Sequence, residues 1–202
     1  MNHKRNLSIM LSMILLMICS SWASAQMQAQ TPAEPLVNEM KQAYTRVANN
    51  LLAMAEKMPE ENYAFKPVPE IRTFAGTLGH TIDMQMRSCA SVTGATPQVT
   101  ASSMTAKADL VAAMKAAMAE CDKAFASLTD AAATQLATGG RGGARSKLGT
   151  LYGVVAHDNE EYGYLAVHLR LKGIVPPSSE GGGMMGGRSG APAPNSPPPS
   201  NR

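Results

Sequence analysis

The sequence predicts an all-α fold. Four segments carry apolar residues at recurring spacings of three and four, no run alternates with the period of two that a half-buried strand requires, and each segment is bounded by cap or stop residues. Together these predict a four-helix bundle. The order of its helices is a separate question.

At the N-terminus, Lys4 and Arg5 precede an apolar stretch from Leu7 to Ser20 and the small-residue site Ala23-Ser24-Ala25. Residues 1–25 are therefore expected to be a secretory signal peptide, with the mature chain beginning at Gln26 in the periplasm or outside the cell. Ile18 before Cys19 is too bulky for a lipidation motif. No later segment is long and apolar enough to predict a membrane span. Lys4 and Arg5 leave with the signal, so the 18 basic residues of the whole chain fall almost to the 15 acidic ones. A near-neutral chain without a basic cluster gives no electrostatic support for nucleic-acid binding.

Residues 26–34 read as a linker, and 35–177 as the bundle. The first helix is expected from Pro35 to Lys57, with Leu36, Met40, Tyr44, Val47, Leu51, Met54 and Met58 on one stripe and Pro59 as the stop. The second begins after Thr73, a natural N-cap, and ends at Gly94; its stripe is Phe74, Leu78, Ile82, Gln85, Cys89 and Val92. A third, alanine-rich helix spans Thr105 to Leu128, with Leu110, Met114, Met118, Cys121, Phe125 and Leu128 inward. The fourth takes Ser146 as N-cap after the flexible 139–145 loop, runs to Lys172, and stops at Gly173 before Pro176-Pro177. From Ser178 to Arg202 the chain is Gly/Pro/Ser/Asn-rich and is expected to be a disordered tail. The connection from Thr93 to Met104 reaches up to about 40 Å when extended, more than the roughly 30 Å length of a 20-residue helix. It therefore permits the second and third helices to run parallel.

The residues with chemical potential sit mostly on the fourth helix. His157 and Glu161 are one turn apart on one face, with Cβ atoms about 5–6 Å from each other, close enough to bind one ion. A solvated His/Glu pair on a helix surface has the same spacing. A third ligand must come from elsewhere, and His80 is the candidate: turned by about 240° from Phe74 around the second helix, it belongs either to a solvated face or to a polar pocket facing the fourth. His168 lies too far along the helix from His157 to share an ion and is assigned to the surface or a pocket rim. Asp158 and Tyr162 are candidate neighbours of the ligands. Cys89 and Cys121 fall at similar levels on their helices, as a disulfide or as two small buried thiols; neither lies near a base that would make it a nucleophile. The many methionines fall on core stripes and read as packing groups rather than as copper ligands.

With these residues in hand, the chain resembles the DinB-like superfamily of metal-dependent four-helix-bundle proteins over Pro35 to Glu180. The resemblance rests on the run from Phe65 to Phe74 leading to Gly79-His80, and on His157-Asp158-Asn159-Glu160-Glu161-Tyr162-Gly163 continuing through Gly173 to the Pro176-Pro177 exit. It implies an up-down-down-up bundle and a divalent metal, commonly zinc or nickel, held by three histidines. Two of those positions are His80 and His157, while the third is occupied here by Glu161. Two imidazoles and a carboxylate suit zinc and also non-haem iron. The resemblance further implies activation of water or a thiol for attack on a small-molecule substrate. Export favours a hydrolase-like reaction over a thiol S-transferase, with a metal-free bundle that binds a small ligand or protein partner as the other alternative. A homodimer through exposed bundle faces is compatible with the sequence.

Overall fold

The computed structural model describes residues 34–98, 100–138 and 143–180. The expected signal peptide, most of the linker, the tip of the glycine loop and residues 181–202 of the expected tail lie outside them. The described residues contain four α-helices and no strand.

Helix α1 (Pro35–Lys57) opens on a proline, whose missing N–H is unneeded in a first turn. It buries Tyr44, Val47, Leu51 and Met54 as the spacing predicts, but Leu36 is exposed and Val37 is buried in its stead. The chain breaks at Pro59 into a single 3-10 turn over Glu60–Asn62. Buried Tyr63 then ties this turn to the helix end through a hydroxyl bond to the Ala55 carbonyl.

In α2 (Phe74–Thr93) both predicted caps are present: Thr73 Oγ1 accepts from the Gly76 N–H at 3.0 Å, and Gly94 closes the helix at φ 81°. A side chain at that φ would strain the backbone, which is why glycine stops the helix. This helix is buried on more than its apolar stripe, taking in Thr77, Thr81 and Asp83, because it packs against both α3 (Lys107–Ala126) and α4 (Lys147–Leu171).

The connection after α2 turns back along it. Ala101–Ser103 form a 3-10 turn seated on α2, where the Asp83 carboxylate accepts from the Ala101 N–H at 2.9 Å, the Ser102 N–H at 3.1 Å and the Ser102 hydroxyl. Gly79 makes the approach feasible: a Cβ there would lie 2.4 Å from the Ala101 carbonyl oxygen. Gly79→Ala is therefore expected to destabilise by about 1–3 kcal/mol through overpacking, although alanine favours a helix. By contrast, Gly163 in α4 has nothing within 4 Å of a built Cβ, and Gly163→Ala should stabilise by about 0.5–1 kcal/mol. Denaturation midpoints of the two variants, compared with the parent, check both signs.

Helix α3 is shorter than predicted by two residues at each end. Ala106 offers no side-chain cap at its start, and Ser127 closes its end through the Lys123 carbonyl. Met118, placed on the core stripe by spacing, is half-buried and its level of the core is filled by Ala117. Cys89 and Cys121 form a disulfide with a Cα separation of 4.9 Å, so α2 and α3 are direct neighbours here rather than diagonal ones. Helix α4 starts at the predicted cap, with Ser146 Oγ accepting from the Gly149 N–H at 3.0 Å, and ends before Gly173 at φ 71°.

Two apolar clusters fill the interior. One gathers Leu51, Met54, Phe74, Leu78, Leu110, Leu165 and Leu169; the other gathers Tyr44, Phe125, Leu151 and Val154 around the disulfide. Each fully buried leucine or phenylalanine contributes about 1.5–3 kcal/mol of transfer free energy. The chain does not leave the bundle at Ser178, where the tail was expected to begin. Ser178–Glu180 are held by the Tyr162 hydroxyl, by Arg170 to Ser179 at 3.1 Å and by a Lys57–Glu180 ion pair.

Candidate metal centre

The groove between α2 and α4 brings together the three side chains that the sequence singles out. His80 stands on the second turn of α2, on the side away from Phe74 and Leu78, which the core holds inward. That leaves its ring facing α4, and of the two orientations open to it the inward one is found. His80 Nε2 lies 3.2 Å from His157 Nε2 and 3.7 Å from Glu161 Oε1, while His157 Nε2 lies 3.5 Å from Glu161 Oε1. Among the described residues, these three form a group able to hold a metal ion.

The spacing has a simple test. Ligands about 2.1 Å from a tetrahedral ion stand about 3.4 Å from one another, and the three observed separations bracket that value. Chemistry agrees with geometry. Glu161 is buried, and its Oε2 has no hydrogen-bond partner, a state that costs about 1–3 kcal/mol or more for a neutral polar group and more for a charged one. A cation satisfies this carboxylate where no protein donor does. The residues present fit a divalent ion.

Electrostatics divides the two histidines. Burial and the nearby cations Arg72 and Arg87 hold His80 below the ordinary imidazole range, so it favours the neutral, lone-pair form that a metal needs. His157 is pushed the other way, chiefly by the Asp158 carboxyl beside its Nδ1 and against the effect of burial. Burial raises Glu161, with His157 and Arg72 pulling it back.

Behind the ligands lies a polar layer that sequence periodicity hid. Asp158 is fully buried, with Oδ2 accepting from Gln85 Nε2 at 2.7 Å and Oδ1 4.0 Å from His157 Nδ1. Burial raises the Asp158 carboxyl from its usual range. Periodicity places Gln85 on the inward stripe of α2, where it is buried; only the facing Asp158 shows why an amide stands there. Tyr162, by contrast, turns its hydroxyl to the end of the bundle. Its hydroxyl donates to Ser178 Oγ at 2.6 Å and accepts from the Ser178 N–H at 3.0 Å, fastening the exit of the bundle.

His168 also departs from expectation. It is buried, not at the surface, with Nδ1 2.9 Å from the Tyr164 carbonyl and Nε2 3.3 Å from the Arg72 carbonyl, and it meets Phe65 and Phe74 edge-on. The loop before α2 folds over this ring, a long-range contact that helical spacing on α4 does not contain. His168 thus anchors the segment carrying Arg72 beside the ligand cluster.

Comparison with known proteins gives a consistent picture. The model of the DinB superfamily matches residues 43–165, a span that includes all three ligand positions. A crystal structure of a DinB-like protein from Bacillus cereus shares the fold at a TM-score of 0.59 and 17% identity, covering 68% of this chain and 93% of the other. No curated protein sequence matches.

Proposed function

Because this chain belongs to the DinB superfamily, we propose that it is an exported metal-dependent protein of hydrolase type, with His80, His157 and Glu161 holding a divalent ion. The observation that carries the reading is the convergence of these three donors from two helices at 3.2–3.7 Å. Zinc and nickel suit two imidazoles and one carboxylate, and iron does so as well. Such an ion, when bound, supplies Lewis acidity that acidifies water and polarises a substrate carbonyl or phosphoryl oxygen.

The chain's own groups do the remaining work. Glu161 offsets part of the positive charge of the ion and His80 contributes an uncharged imidazole. Asp158, itself held by Gln85, stands 4.0 Å from His157 Nδ1, while His157 Nε2 faces His80 and Glu161. Export is supported by the Cys89–Cys121 disulfide, since such bonds persist in oxidising compartments. The same environment disfavours a cytoplasmic low-molecular-weight thiol as co-substrate. The up-down-down-up order is supported by paired contacts: Gly79 meets Ala101 in the turn that leads into α3 and Cys89 meets Cys121 further along both helices, whereas Phe74 with His168 and Gln85 with Asp158 run oppositely along α2 and α4.

Chelated and metal-reloaded protein, assayed on a panel of simple esters, amides and phosphoesters, tests the reaction class; turnover only after reloading is expected, and absence of turnover on every member overturns the hydrolase reading. The pH dependence has a definite sign. In the metal-free chain, His157 and Glu161 titrate above their unfolded values, so their contribution favours the fold at low pH and is lost as pH rises through the folded values. Metal binding demands the opposite protonation state. The gap in melting temperature between loaded and chelated protein should therefore widen as pH rises through and beyond the ordinary histidine value of 6.5.

A further inference from the structure

One turn beyond the three ligands, the same two helices carry the start of a cleft. Four residues on from His80 and four back from His157 stand Met84 and Gly153, about 6 Å further along each helix. They line a cleft of about 610 Å³ that continues past Arg87 and Ser88 to Thr138 and Arg145. Among the described residues, its lining holds two arginines, five hydroxyl-bearing residues and no carboxylate.

Charge in this cleft is poorly compensated from within the chain. Arg145 makes no ion pair with any described carboxylate. Arg87 lies near Asp83, with Nη2 3.8 Å from Oδ2, but that carboxylate is already shared among the Ala101 and Ser102 donors. Gly153 lets a guanidinium lie against the α4 backbone: a Cβ there would come within 3.4 Å of Arg145 Nη1.

We propose that this cleft is the substrate subsite of the metal centre and takes a small organic anion, with a carboxylate or phosphate group held by Arg87 and Arg145 and the reacting bond at His80, His157 and Glu161. The inference rests on the metal-centre reading for its role but not for its binding chemistry. Arg87 is seven residues beyond His80, so anion and reacting bond are separated by roughly 10 Å along the groove. Arginine forks match both carboxylate and phosphate oxygens.

Calorimetric titration of the chelated protein tests it. Inorganic phosphate, the eight-carbon dicarboxylate suberate and the uncharged 1,8-octanediol are the three probes. Saturable binding of at least one anion is expected, with none for the diol, and the tighter anion identifies the substrate's charged group. Arg145→Gln and Arg87→Gln should each weaken anion binding at least tenfold, and Arg145→Glu should abolish it; Arg145 is exposed, so these variants at that position retain the parental melting temperature. Gly153→Leu should weaken both anions, by filling the cleft and displacing the Arg145 guanidinium that lies against it. Failure of both anions to bind, equal binding by wild type and both arginine variants, or diol binding as tight as the anions overturns the proposal. His157→Ala separates the two readings: it should remove metal and leave anion binding in place.

Discussion

Purified His157→Ala should contain no stoichiometric divalent metal, whereas the parent protein takes up one ion per chain. The prediction follows from the ligand geometry: with His157 removed, His80 and Glu161 remain 3.7 Å apart as a two-donor pair, too few protein ligands for a site that holds three. Linkage makes the effect large. A metal at one hundred times its dissociation constant stabilises the fold by about 2.7 kcal/mol, which raises the melting temperature of a domain of this size by about 5–11 °C. That rise should vanish in His157→Ala and in His80→Ala. Glu161→Gln adds a second sign, because it removes a buried carboxylate with an unpartnered oxygen: the chelated variant should be no less stable than the chelated parent, yet lose the metal-dependent rise. Mass spectrometry of metals together with thermal melts reads all three. Equal metal content and equal rises in parent and variants would remove the centre from consideration.

The second large effect belongs to the disulfide. Cys89 and Cys121 are separated by 32 residues in sequence, and closing a loop of that size in the unfolded chain is worth about 3.7 kcal/mol in the chain-entropy account. Both residues are fully buried, so replacement by alanine leaves only a small cavity and isolates the cross-link. Cys89→Ala/Cys121→Ala is expected to melt about 7–15 °C below the parent, with reduction of the parent under denaturing conditions yielding the same refolded stability. A loss of under 1 kcal/mol in chemical denaturation would show that the unfolded chain is already compact across this loop. The bond also lies close to the polar layer: Cys121 Sγ contacts the Gln85 carbonyl at 3.7 Å, and Gln85 in turn holds Asp158.

Much of the fold was legible in local sequence, and the reasons are specific. Thr73, Gly94, Ser146, Gly173 and Pro59 act within one or two turns, so the ends of α1, α2 and α4 follow from them. The ends of α3 were misjudged because Thr105 and Leu128 looked helical by composition while Ala106 caps nothing and the chain beyond Ser127 follows tertiary contacts. The candidate site divides the same way. His157 and Glu161 form a pair through helical geometry alone, but Asp158, Gln85 and the burial of His168 depend on what faces α4 from another segment. Arg87 and Arg145, 58 positions apart along the chain, carried no signal in any motif.

By itself, then, the order of residues specified the helices and the ligand pair on α4, because caps, stops and the 3.6-residue turn are properties of neighbours in the chain. Only the tertiary structure decided that His80 faces that pair, that Cys89 reaches Cys121 and that two arginines share one cleft. Those outcomes hinge on which face α2 presents to each of its neighbours, and that choice is made by packing: Gly79 admits the returning loop on one side, and Phe74 and Leu78 fill the core on another, leaving one direction for the imidazole.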